Sequence, residues 1–134
     1  MKKLIFLFTI FSMLYSCNSD DNGNSSSTLS PPAWIQGKWL ESGGFSGFHF
    51  KANDFCTITF TSEMCYVELF NSLPEQQQVI FEETIKNNDV YEFNYSTSGI
   101  GAGQTVFYRF ERISNSKILY INPAMPEGTE YFRN

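Results

Sequence analysis

Histidine is nearly missing from this chain: His49 is the only one among 134 residues. Structural and catalytic zinc sites draw on several imidazoles or thiolates, and with no second histidine and no clustered set of thiols and carboxylates along the chain, no zinc site of the usual type is expected. The same scarcity restricts nucleophilic catalysis. A Ser–His or Cys–His pair would have to use His49, which strand parity turns outward between an inward Phe48 and Phe50 and away from Cys56. Basic residues are also few: 9 Lys and Arg, two of them at Lys2 and Lys3, stand against 14 Asp and Glu. A net charge of −5 gives no attraction to nucleic acid, which is not expected as a partner. Facing carboxylates are lacking too, because Glu82 and Glu83 are neighbours on one strand and point to opposite sides, unlike a glycosidase pair. Gly99, Gly101 and Gly103 have no helix after them, so they read as a hairpin loop and not as a phosphate cradle. No cofactor, no metal and no enzymatic activity are expected.

What is present begins with a processing signal. Lys2 and Lys3 precede a largely apolar run from Leu4 to Leu14, too short to span a bilayer as a helix of roughly 20 residues. The run ends Leu14-Tyr15-Ser16-Cys17, which resembles the bacterial lipobox. That resemblance implies removal of residues 1–16 and lipidation of Cys17, with more than one acyl chain because a single chain holds only marginally. Residues 17–32 are mostly Asn, Ser, Asp, Gly, Thr and Pro, a composition that cannot bury a core and reads as a flexible tether. Ser19-Asp20-Asp21 resembles the short acidic export signal of Bacteroidota-type lipoproteins. The expected location is the outer membrane, lipid-anchored, facing either the cell surface or the periplasm.

The remaining residues, 33–134, are one domain of roughly 100 residues. Apolar and aromatic runs fall at about 34–41, 45–51, 54–60, 64–70, 78–86, 90–97, 104–113, 117–122 and 129–133, divided by turn-forming clusters. No window has a helical period, beyond room for one turn at Pro74 to Gln78. The expectation is an all-β fold, a small antiparallel meander barrel of eight to nine strands.

Hairpin pairing sharpens this. A three-residue loop Asn87-Asn88-Asp89 pairs Ile85 with Tyr91 and Phe81 with Tyr95; Ser114-Asn115-Ser116 sets Arg112 opposite Ile118 and Phe110 beside Tyr120. Ala52-Asn53-Asp54 as a loop puts Phe48 and Phe50 beside Ile58 and Cys56. For Cys56 and Cys65 two registers compete. A four-residue loop Thr61 to Met64 holds them roughly 13 Å apart, too far for a disulfide, whereas a tighter register pairs them directly, as an oxidising compartment favours.

The stretch Trp34-Ile35-Gln36-Gly37-Lys38-Trp39 resembles the Gly-x-Trp signature that opens the first strand of lipocalins and of bacterial lipocalin-like lipoprotein domains. The resemblance implies that Trp39 packs across the closed end of a barrel, under an arginine from a late strand, for which Arg112 and Arg133 are the candidates. It also implies a cup for a small hydrophobic ligand, lined by the inward Tyr91, Phe93, Tyr95, Tyr108, Phe110 and Tyr120, with Glu83 and Arg112 as polar groups at its mouth. The other reading is a β-barrel or β-sandwich filled by those same aromatics, acting as a structural or interaction module with another envelope protein.

Overall fold

The computed structural model describes residues 28–74, 79–97 and 103–134. Cys17, the preceding signal, Ser19-Asp20-Asp21, Gly99 and Gly101 lie outside the described residues, as do the last four residues of the expected turn at Pro74 to Gln78. The strands are β1 (Gly37–Leu40), β2 (Ser46–Phe50), β3 (Phe55–Thr59), β4 (Ser62–Cys65), β5 (Val79–Lys86), β6 (Val90–Thr97), β7 (Thr105–Arg112), β8 (Lys117–Asn122) and β9 (Met125–Arg133), with a short helix, α1 (Tyr66–Asn71), between β4 and β5. They form a single antiparallel sheet in the order β4-β3-β2-β1-β9-β8-β7-β6-β5, curled into a half-barrel. The chain is thus all-β in a meander, with β1 and β9 meeting in the middle of the sheet.

Trp39 and Phe48 face each other across β1 and β2, and Phe50 faces Phe55 across β2 and β3, so the large apolar side chains of these strands share the inner face. Tyr91, Phe93, Tyr95, Tyr108, Phe110, Ile118 and Tyr131 continue that face through β6 to β9. At one end of the interior Leu29, Ile35, Trp39, Phe50, Phe55, Tyr91, Phe93, Phe110 and Ile118 are each 2 % exposed or less. The rings pack edge to face, Phe50 against Phe110 at 4.9 Å and Phe55 against Phe93 at 5.1 Å. Burying so many aromatics removes roughly 150–250 Å² of surface per side chain and is the chief source of stability in so small a domain.

That filled end is closed by the Trp34 to Gly37 turn. Trp39 Nε1 donates to Ile35 O at 2.6 Å, and the Arg133 guanidinium lies 4.2 Å above the Trp39 ring. Arg133 also donates to Asn115 O, Gln36 O and Trp34 O at 2.9, 2.8 and 2.7 Å. Of the two candidate arginines, Arg133 therefore covers Trp39, while Arg112 sits 5.8 Å over Trp34. Gly37 takes φ +114°, closed to most side chains, and a Cβ there would lie 3.2 Å from Arg133 Nη1, which accounts for the glycine of the motif. At Gly47 the reason is space: a Cβ would meet Trp39 O at 2.1 Å.

Several expectations are corrected. The chain joins the core before residue 33: Leu29 is buried, and Ser30 donates from its N–H and hydroxyl to Glu83 at 3.0 and 2.9 Å. The 64–70 strand divides into β4 and helix α1. Asp54, itself buried, accepts the N–H groups of Phe55, Val67 and Glu68 at 2.7, 2.8 and 3.2 Å, satisfying the first turn of α1 from a distant loop. The β2–β3 loop is one residue longer than expected, so Phe55 faces inward and Cys56 and Ile58 turn to the outer face. A register shift between Glu83 and Ile85 sets Lys86, not Ile85, opposite Tyr91, although Phe81 still pairs with Tyr95. The β7–β8 hairpin pairs Arg112 with Ile118 and Phe110 with Tyr120.

β4 and β5 are the two edges of the sheet, and α1 lies between them in sequence and in space. Tyr66 and Phe70, four positions apart and so on one helix face, reach Tyr95 and Phe81 with ring centroids at 5.6 and 5.9 Å. A helix thus bridges the gap that a hydrogen-bonded strand pair would close in a complete barrel.

Candidate functional site

The interior has two unlike halves. Beyond the filled end, on the side of the β1–β2, β3–β4 and β8–β9 turns, the inner face gathers Tyr66 from α1, Tyr95 from β6, Tyr108 from β7 and Tyr120 from β8 among the apolar Phe70, Val79, Phe81 and Val106, while Tyr131 from β9 lies across from Ile118. Tyr108 is stacked between its strand neighbours, 6.3 Å from Tyr95 and 5.9 Å from Tyr120, with Phe93 5.2 Å beneath. Tyr131 meets Tyr120 edge-on at 6.4 Å and Phe48 at 4.8 Å. Tyr108 and Tyr131 are 8 % exposed, whereas Tyr66, Tyr95 and Tyr120 keep part of their surface open.

Strand alternation puts every second residue of β6, β7 and β8 on this face, and the antiparallel pairs stagger the rings so that they form a shelf one side chain deep. Burial pushes the hydroxyls of Tyr95, Tyr108, Tyr120 and Tyr131 above their ordinary ionisation range; nearby phenols, and Glu41 at Tyr131, add to the effect, and hydrogen bonds with Tyr108, Asn122 and Ser46 offset part of it at Tyr95, Tyr120 and Tyr131. The groups therefore stay protonated near neutral pH, as an uncharged aromatic surface with hydroxyl donors and acceptors along it. Such a surface offers ring faces and hydroxyl hydrogen bonds.

The expected lining residues divide between the two halves. Tyr95, Tyr108 and Tyr120 belong to the tyrosine shelf. Tyr91, Phe93 and Phe110 are at 0 % exposure in the filled end and serve as its core. Glu83 and Arg112 are not at a mouth. Glu83 lies at the closed end, where its carboxylate accepts the Tyr91 hydroxyl at 2.7 Å and both Ser30 groups, with Lys86 Nζ at 3.5 Å. Burial alone would raise the Glu83 carboxyl, but these hydrogen bonds and the Lys86 charge outweigh it and hold the carboxyl below its ordinary range. Arg112 donates to Asn88 O at 3.3 Å and to Asn115 Oδ1, tying two hairpins together under Trp34. Trp34 in turn donates from Nε1 to Asn87 O at 2.7 Å. Trp34, Gly37 and Trp39 are all parts of the closed end.

Two groupings were not foreseen. Tyr66 and Phe70 line the shelf because the segment is helical, and their spacing of four was the only sequence sign of it. On the outer face, His49 stands directly across from Cys56, contrary to the expectation that they point apart. Ligand atoms of His49, Cys56 and Glu63 lie within 4.8 Å of one another, as do those of Asp54, Cys56 and Cys65. Both sulfurs, however, are joined in a Cys56–Cys65 disulfide with Cα atoms 3.9 Å apart, the tight register having prevailed, so neither is a thiolate able to ligate. An open surface groove of about 510 Å³ runs along the outer side of the β1–β9 seam, lined by Leu40, Glu41, Phe132 and Arg133 among others, and holds none of the tyrosines. Neither family models, nor curated proteins, nor solved structures gave a match to this chain.

Proposed function

We propose that the chain is an exported, lipid-anchored outer-membrane lipoprotein whose lipocalin-like domain, without enzymatic activity, binds a small hydrophobic ligand bearing a hydrogen-bonding group. The ligand rests on the shelf of Tyr66, Tyr95, Tyr108 and Tyr120. The observation that carries this reading is the gathering of Tyr66, Tyr95, Tyr108 and Tyr120 at one end of the interior, beside Phe70, Phe81 and Val106, with Tyr66, Tyr95 and Tyr120 part-exposed. Cores are ordinarily finished with apolar rings, so hydroxyls gathered at one end of the interior fit contact with something beyond the chain. The lipid anchor rests on the Leu14-Tyr15-Ser16-Cys17 stretch, and the lipocalin likeness on Gly37-Lys38-Trp39 with Arg133 over Trp39.

The test is native mass spectrometry of protein purified from its host, followed by the same measurement on Tyr95→Ala and Tyr120→Ala. A bound small molecule lost in both variants is the expected result; a clean apo mass would remove the carrier role. That outcome would favour the second reading, a non-enzymatic interaction module of an envelope complex. What supports the second reading is the pair Phe45 and Phe60 on adjacent turns, 61 % and 71 % exposed with rings 5.9 Å apart.

A further inference from the structure

The outer face of β1 to β4 carries a row of chemically active side chains unrelated to the tyrosine shelf. Lys38 pairs with His49, His49 with Cys56 and Cys56 with Cys65, so the four lie side by side across consecutive strands, and Glu63 is on the same face two residues before Cys65. The two sulfurs differ in access: Cys56 is at 0 % exposure, while Cys65 is only partly covered. Lys51 Nζ stands 3.1 Å from Cys65 Sγ and 3.5 Å from Glu63 Oε1. Glu63 is also held by Lys38 at 3.1 Å and His49 at 2.8 Å. Glu63 Oε1 is itself 3.6 Å from Cys65 Sγ and an Asp54 oxygen lies within 4.8 Å of both sulfurs, so two carboxylates and two ammonium groups surround the bond, with Lys51 Nζ closest to the accessible sulfur. An ammonium gains little from a neutral disulfide sulfur but forms an ion pair with a thiolate, so Lys51 favours a thiolate on Cys65 while the Glu63 carboxylate opposes it.

The geometry points to Cys56–Cys65 as a thiol–disulfide exchange site that accepts electrons from an external dithiol. A thiolate of the dithiol attacks Cys65 Sγ, the accessible sulfur. The Cys56–Cys65 bond breaks as the mixed disulfide with Cys65 forms, and the bonding electron pair leaves on Cys56, opposite His49. The second thiol, deprotonated, then attacks the reductant's own sulfur in the mixed disulfide. Cys65 leaves as a thiolate beside Lys51, and the reductant departs as a cyclic disulfide. Two electrons and two protons pass in total, leaving two thiols on the protein and one disulfide on the partner.

The test uses the folded full chain equilibrated in buffers of reduced and oxidised dithiothreitol, with acid quench, alkylation and mass spectrometry to count free thiols. Lys51→Met, at a side chain 39 % exposed, is expected to need about two- to fivefold more reductant to reach half reduction, because it withdraws the charge that stabilises the thiolate. Glu63→Gln is expected to need less, because it removes the anion that competes for Lys38 and Lys51. A monothiol such as glutathione should be trapped on Cys65. Coincident midpoints for both variants and wild type, each shown folded by circular dichroism, would overturn the proposal, as would a mixed disulfide found on Cys56.

Discussion

Arginine 133 gives the sharpest quantitative test of how the barrel end is closed. Replacing it with alanine removes a guanidinium 4.2 Å above the Trp39 ring and three hydrogen bonds to the carbonyls of Trp34, Gln36 and Asn115. The ring contact contributes about 1 kcal/mol. Each hydrogen bond from a charged group to a carbonyl in this solvent-exposed position contributes at the low end of the usual range, about 0.5–1 kcal/mol, because water can replace the donor. The sum is about 2.5–4 kcal/mol, a large part of the 5–15 kcal/mol typical of a domain. For a domain of roughly 100 residues this corresponds to a melting temperature lower by about 12–19 °C. Arg133→Lys keeps a charge over the ring but cannot fork to three carbonyls, so it should recover about half of the loss. Arg112→Ala, whose guanidinium is 5.8 Å from Trp34 and donates to Asn88 O at 3.3 Å and to Asn115 Oδ1, should cost about 1–2 kcal/mol, less than Arg133→Ala. Urea denaturation followed by far-ultraviolet circular dichroism measures all three variants. An Arg133→Ala protein as stable as wild type, or an Arg112→Ala protein less stable than Arg133→Ala, would refute this account of the closed end.

Other consequences are as direct. The His49 and Lys38 hydrogen bonds hold the Glu63 carboxyl down at about 2 against its ordinary 4.5. The folded state therefore binds this proton less tightly than the unfolded one, and the stabilisation is complete above pH 4.5 and fades as pH falls towards 2; acid titrations of Glu63→Gln should lack that part of the decline. Leu29→Ala, at a site 2 % exposed, should cost about 2–5 kcal/mol in thermal or urea melts, and a chain beginning at residue 33 should lose at least as much. Phe60 has φ +55° at an exposed turn, so Phe60→Asn should leave stability unchanged or raise it by up to about 1 kcal/mol; a clear loss would mean the Phe45 contact outweighs the backbone cost.

The strand meander was readable because alternation and turn residues agree over most of the chain. In the β7–β8 hairpin the Ser114-Asn115-Ser116 loop and the pattern around Phe110 and Tyr120 admit one register, and that register is the one formed. The failures occur where two phases are equally apolar. Phe55 and Cys56 are adjacent and either can face a core, so the β2–β3 register turns on Asp54, whose buried carboxylate holds the first turn of α1. The same residue decides the helix itself. Cys65, Val67 and Leu69 alternate like a strand, while Tyr66 and Phe70 have helical spacing, and a partner 13 positions earlier selects between them. The bulge after Glu83 comes from a tertiary demand, the meeting of Glu83 with Ser30 and Tyr91, which local alternation does not contain. Tyr95, Tyr108 and Tyr120 were identifiable as inward by parity alone; their separation from Tyr91, Phe93 and Phe110 depends on depth along the interior, and period-two patterning carries no information about depth.

The seam between β1 and β9 sets an order of events in time. β1 is the first of the described strands to emerge during synthesis, yet one of its edges is reserved for β9, and the Arg133 to Gln36 bond spans 97 positions. Until β9 exists, Trp39 has no cover and the middle of the sheet is an unpaired edge. Partial chains cannot settle into a stable half, because the first half lacks its neighbour and the second half lacks its first strand. Such long-range closure makes folding slow and all-or-none. A chain made from its N-terminus would therefore stay slack until its final strand arrived, and the closing of this seam would mark the moment of folding.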